Sequence, residues 1–199
     1  MTAERPRSTP PGGWLRRAGI GHSVDGAQIL WSIAEGSRGR RWRATSSRDG
    51  TVESSLLLEA TAGGRILRLE YTTASGMLTL HPERDERSIH GNIVHPHGVR
   101  PVAITWSLDY SLEVAGSLIP TAIALARLAR SVHVGEGETI PVVAVDPSLG
   151  LRPGTRLVRR IAERRWVVAD LADRHEIDVE LDEDGVPRLE AARTWPLEI

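Results

Sequence analysis

The chain has 199 residues, enough for one large domain. Its 25 basic residues, all arginine, nearly balance 26 acidic ones, which argues against a general nucleic-acid binder or a basic membrane-surface protein. Cysteine is absent, which excludes disulfides, thiolate metal sites and cysteine nucleophiles.

Residues 1–24 open with MTAERPRSTPPGG, broken by Pro6, Pro10 and Pro11 and without an apolar core segment. This stretch reads as a disordered tail and not as a secretory signal, so a cytoplasmic protein is expected. Residues 25–199 are expected to form a single domain. No segment approaches the roughly 20 apolar residues of a spanning helix, so no integral membrane segment is expected.

Most of the remaining chain reads in period two. Gln28 to Ala34 is a short apolar run around Trp31, and Thr51 to Ala60 carries Leu56, Leu57 and Leu58. Gly63-Gly64 makes a hairpin turn into Arg65–Thr73, where Leu67, Leu69 and Tyr71 alternate with Arg68 and Glu70. Met77–His81 and Ser88–Val94 follow. From Ile104 to Val114 the alternation is unbroken: Ile104, Trp106, Leu108, Tyr110, Leu112 and Val114 against Thr105, Ser107, Asp109, Ser111 and Glu113. This predicts one long strand with a dry face.

Leu118–Arg130 changes period. Leu118, Ala122, Leu125 and Ala129 fall at helical spacing, and Pro120 suits a first turn. Strands resume over Glu138–Val145, Thr155–Ala162, Arg164–Leu171 and Glu176–Asp182. Asp184-Gly185 then predicts a tight turn into a returning strand, Val186–Ala191. The pattern is mainly β: an antiparallel β-barrel or half-barrel of about a dozen strands, with one short helix near 118–130.

Candidate chemistry is sparse. His90, His95 and His97 lie in SIHGNIVHPHG, and His95 and His97 would share a face if the chain were extended. Pro96 and the lack of a supporting carboxylate favour a polar loop, so no metal or other cofactor is expected. Asp109 and Glu113 would share the polar face of the long strand, where paired carboxylates can do acid–base work. No nucleophile elbow, phosphate loop or zinc-protease motif is present, so no catalytic residue is assigned. The six Trp residues, in a chain with two Tyr and no Phe, supply most of the large aromatic surface.

Four segments, SLDYSLEV (Ser107–Val114), SLIPTAIALARL (Ser117–Leu128), GETIPVVAVDPSLGLRP (Gly137–Pro153) and the closing strands through VELDEDGVP (Val179–Pro187), resemble in order a bacterial family named for glycolipid binding. The family shows Pro and Arg where this chain has Ala124 and Ala126, and an aromatic where it has Val158. The resemblance implies a β-barrel or half-barrel with an apolar cavity, and non-enzymatic binding of an amphipathic, lipid-like ligand. Under this reading Trp31, Tyr71, Trp106, Tyr110 and Trp166 are candidate cavity walls, and Arg127 a candidate head-group contact. The competing expectation is an enzyme of unknown reaction using Asp109 and Glu113, or the cluster of His90, His95 and His97.

Overall fold

A computed structural model of the chain describes residues 15–23, 25–83, 85, 87–172 and 175–196. Eight strands form an antiparallel meander: β1 (Arg16–His22), β2 (Gln28–Gly36), β3 (Gly39–Arg48), β4 (Thr51–Ala60), β5 (Ile66–Thr73), β6 (Gly76–Pro82), β7 (Ser88–His95) and β8 (Gly98–Thr105). The chain then leaves this sheet. β9 (Ser111–Val114), helix α1 (Ile119–Leu128), β10 (Gly137–Val145), β11 (Leu151–Ala162), β12 (Arg165–Asp170) and β13 (Glu176–Glu180) follow. The last strand, β14 (Glu190–Pro196), returns to the first sheet and pairs with β1.

Two sheets result. The larger has nine strands in the order β14-β1-β2-β3-β4-β5-β6-β7-β8, and the smaller has five in the order β13-β12-β11-β10-β9. Of the two expected forms, barrel or half-barrel, the closed barrel is not formed. β14 and β8 stand at opposite ends of the larger sheet and do not pair, so that sheet is open, while the five-stranded sheet curls as a half-barrel. β9 and β10 run parallel, and a parallel pair needs a crossover, which α1 supplies.

Local chemistry explains the meander. Between β3 and β4, Asp49 and Gly50 both have positive φ (51° and 78°), and Arg48 pairs directly with Thr51. This is the two-residue turn whose twist matches the flanking strands. Alternating side chains then build one buried face: Ile29, Trp31 and Ile33 on β2, Trp42 and Ala44 on β3, Leu56, Leu58 and Ala60 on β4. The face continues through Leu69 and Tyr71, Leu78 and Leu80, Ile89 and Ile93. Leu67 departs from the expected alternation and is 41% exposed, while Ile66 is buried. The cause is a bulge: Glu59 pairs with Arg68 but Ala60 pairs with Ile66, so Leu67 is the extra residue.

The helix agrees with its predicted window and has Pro120 in its first turn. It is apolar on both sides. Ile119 and Ile123 join the core under the nine-stranded sheet, whereas Ala122, Leu125 and Leu128 join a second core with Val142, Val158, Trp166 and Val179 of the smaller sheet. It therefore packs between the two sheets, as an all-round apolar helix must. No helix among the described residues is long and apolar enough to cross a membrane.

Three expectations are corrected. The long strand 104–114 does not exist as one element: β8 ends at Thr105, residues 106–110 turn with the Tyr110 amide donating to the Ser107 carbonyl (3.1 Å), and β9 belongs to the other sheet. Leu108, expected on the dry face, is 45% exposed. The turn at Asp184-Gly185 forms, with Asp182 Oδ1 accepting from the amides of Asp184 and Val186 (both 2.9 Å). The returning strand 186–191 is replaced by a single bridge, Leu181 to Pro187, and the chain goes on to β14 beside β1. Finally, the tail expected over residues 1–24 overlaps β1, which pairs with β2 along its whole length. The rest of that expectation, over residues 1–14, lies outside the described residues.

Candidate functional site

A pocket of about 720 Å³ lies where β1–β3, the β9–α1 turn, the ends of β10–β12 and the segment before β14 converge. That volume falls within the usual range for small-molecule sites, roughly 300–1,000 Å³. Its apolar wall includes Ile29, Trp31, Trp42, Val114, Ile119 and Val145. The two indoles lie 6.2 Å apart between ring centroids, tilted by 48°.

Glycine shapes this wall. Gly19 of β1 pairs with Trp31, and a Cβ on Gly19 would sit 2.3 Å from the indole. A Cβ on Gly21 would likewise meet Leu189 Cβ at 2.6 Å. The bare backbone of β1 thus lets Trp31 and Leu189, both at the pocket, lie flat against the strand. The Arg17 guanidinium stands 5.9 Å from the Trp31 ring centroid and is held by Asp182 at 2.8 Å and by Asp184.

The polar wall centres on Arg156 of β11. Its Nε and Nη2 donate to the two oxygens of Glu113 (2.9 and 2.6 Å), and its Nη1 donates to Asp170 (2.6 Å). All three side chains are largely buried, between 15% and 23% exposed. Burial pushes the Glu113 carboxyl above the usual carboxylate range; Arg156 pulls it back in part, and Asp170 adds to the rise.

This shift has a measurable consequence. A carboxyl that holds its proton more tightly when folded makes stability fall as pH rises from the ordinary carboxylate range through the folded value. Glu113→Gln removes that slope. The stability of the wild type minus that of Glu113→Gln, from urea unfolding between about pH 4 and pH 7, is expected to decrease as pH rises. Asp25, Asp146 and Asp178 are held low, first of all by side-chain hydrogen bonds from Ser23, Ser148 and Arg165. They act in the opposite sense at lower pH and cancel in the difference. A flat or increasing difference would contradict the assignment.

Of the residues expected at the site, Trp31 lines the pocket and the others do not. Tyr71 is buried in the main core, its hydroxyl 3.4 Å from the carbonyl of the pocket residue Ala115. Trp106 and Tyr110 pack on each other (5.7 Å) in the connection between the two sheets. Trp166 is fully buried in the second core. Arg127 donates to the carbonyls of Leu108 and Asp109 and to Ser111 Oγ, so it holds the connecting segment to α1, and burial lowers its pKa.

The enzyme candidates separate as well. Asp109 is exposed in the 106–110 turn and does not line the pocket that Glu113 lines. His90 donates from Nδ1 to Glu83 (2.7 Å), and its Nε2 lies within hydrogen-bond distance of His81 Nε2 across the β6–β7 pair (2.6 Å). His95 donates to the Ser75 carbonyl (2.8 Å), and His97 lies in the following turn. Among the described residues, no group of three or more His, Asp or Glu side chains is arranged to hold a metal ion.

Sequence reasoning missed Trp42, Arg156 and Asp170. Trp42 and Ala44 alternate with Arg41 and Arg43 in β3, and the Asp49-Gly50 turn marks the strand's end, so period two carries that signal. Nothing in the sequence separates Arg156 from the other arginines.

No family model matches the chain, and no curated protein matches it. Among solved structures, the fold is similar to the crystal structure of a DUF1089 family protein from Pseudomonas aeruginosa, with a TM-score of 0.53, 13% sequence identity and 94% of each chain covered. At that identity the likeness is one of fold, and the chain shares with that protein its mainly β architecture.

Proposed function

We propose that this protein is a non-enzymatic binding protein for an amphipathic, lipid-like molecule held in the pocket between the two sheets. One observation carries the reading: about 720 Å³ of space bounded by the Trp31 and Trp42 indoles and aliphatic side chains on one side, with ionised groups on another. An alkyl chain entering such a space gains roughly 0.8 kcal/mol per buried methylene. The ionised groups orient the polar end. Arg156, a largely buried arginine of the pocket wall, is engaged by Glu113 and Asp170, which also line it, and this fixed charged group supports a role in orienting a ligand. Likeness to the bacterial family named for glycolipid binding agrees with this class of ligand.

Native mass spectrometry of the protein as purified tests the reading, together with tryptophan fluorescence during titration with decanol. The expected result is a co-purified amphiphile, or saturable decanol binding that perturbs Trp31 and Trp42 emission. A mass corresponding to the bare chain, with no fluorescence response to decanol, rules the reading out.

A further inference from the structure

We propose that the polar end of the pocket's ligand is a cationic amine with a neighbouring hydroxyl group, seated against Glu113 and Asp170. The inference rests on the pocket being the ligand site. It follows from how the charges of the wall are distributed.

At the pocket, Asp146 is paired with Arg152 and Asp178 with Arg165, and Asp25 shares Arg48 with Glu53 where all three side chains are well exposed to solvent. Arg188 is paired with Glu180. Glu113 and Asp170 instead share the single guanidinium of Arg156. Two carboxylates against one cation leave one negative charge on a largely buried surface. The desolvation that raises the Glu113 pKa marks the same surface as poor in solvent.

An anionic head would be repelled there. It would also find four of the five N–H donors of Arg156 engaged: one each on Nε and Nη2 by Glu113, and those of Nη1 by Asp170 and the Thr155 carbonyl. An ammonium brings the missing positive charge and several N–H donors. The carboxylate oxygens can receive them, since each carboxylate has about four lone-pair sites and Arg156 fills only some.

A second feature calls for an acceptor. Trp42 is 1% exposed and lines the pocket, and its indole Nε1–H donates to nothing among the described residues. A buried donor left unpaired is costly. A hydroxyl oxygen beside the amine would accept from it, while the hydroxyl hydrogen would remain free to donate to a carboxylate.

The test compares three chain-matched probes at pH 7: N-decylethanolammonium, decanol and decanoate, by calorimetry on the full chain. N-decylethanolammonium is expected to bind at least about tenfold more tightly than decanoate. Asp170→Asn removes the surplus charge and leaves Glu113 paired with Arg156. It is expected to erase most of that preference, while saturable decanol binding shows that the pocket is still formed. The ¹⁵N-indole resonance of Trp42, assigned with Trp42→Phe, is expected to move downfield with N-decylethanolammonium. Decanoate binding as tightly as the ammonium, an Asp170→Asn preference equal to wild type, or a stationary Trp42 resonance overturns the proposal while decanol binding preserves the pocket reading. Failure of all three probes overturns both.

Discussion

Trp166→Ala is expected to lower stability by about 3–5 kcal/mol, the cost of emptying a buried tryptophan site. Trp166 is completely buried, and it stands on β12, an inner strand of the five-stranded sheet, opposite Arg160 on β11 and Val179 on β13. It shares its core with Leu125 and Leu128 of α1 and with Val142 and Val158. Truncation leaves a void between helix and sheet that rigid strands cannot collapse to fill. The ring also supports Arg160, whose guanidinium lies 5.4 Å from its centroid and donates to the carbonyls of Ala129 (3.0 Å) and Val132 (2.9 Å) beyond the end of α1. Urea unfolding should show a lower midpoint with an unchanged slope. Decanol affinity of the folded variant should stay near that of wild type, because Trp166 does not line the pocket. A loss below about 1 kcal/mol, or a large change in decanol affinity, would contradict this placement.

Trp31→Ala is expected to have the opposite signature. Trp31 is 4% exposed and belongs to the main core, but it also lines the pocket. The part of the ring that meets the pocket has no packed protein neighbour to lose, so its removal should destabilise less than Trp166→Ala. The same ring is a large part of the apolar wall that meets an alkyl chain. Decanol binding is therefore expected to weaken by at least tenfold, about 1.4 kcal/mol. Calorimetry and urea unfolding on the same variant decide the matter. Unchanged decanol affinity would remove Trp31 from the site.

Period two was legible wherever a strand buries one face and wets the other. β2, β4, β6 and β7 therefore stand close to their predicted bounds, and α1 stood out because its apolar spacing changes to helical. The unbroken alternation from Ile104 to Val114 misled for the same reason. Alternation records that successive residues meet dry and wet surroundings, and a chain that turns between two sheets can meet them in that order without being one strand. Trp106 is buried on one side of that turn, and Leu112 and Val114 are buried on the other. Leu67 shows the same limit at one residue: a bulge reverses the face, and hydrophobicity alone does not reveal it.

The site divides along a similar line. The sequence by itself determined a mainly β chain with one apolar helix, a tryptophan-dominated aromatic inventory and no cysteine chemistry, because these depend on composition and local periodicity. Only the tertiary structure decided which tryptophans meet open space. Trp31 and Trp166 each sit in an alternating strand, yet Trp31 lies over Gly19 at the pocket and Trp166 lies under a helix. The tertiary structure also decided that Glu113, Arg156 and Asp170 form one charged group, although they come from three strands up to 57 residues apart. Their meeting depends on β9 and β12 flanking β10 and β11 in one sheet, a long-range pairing that no local pattern encodes.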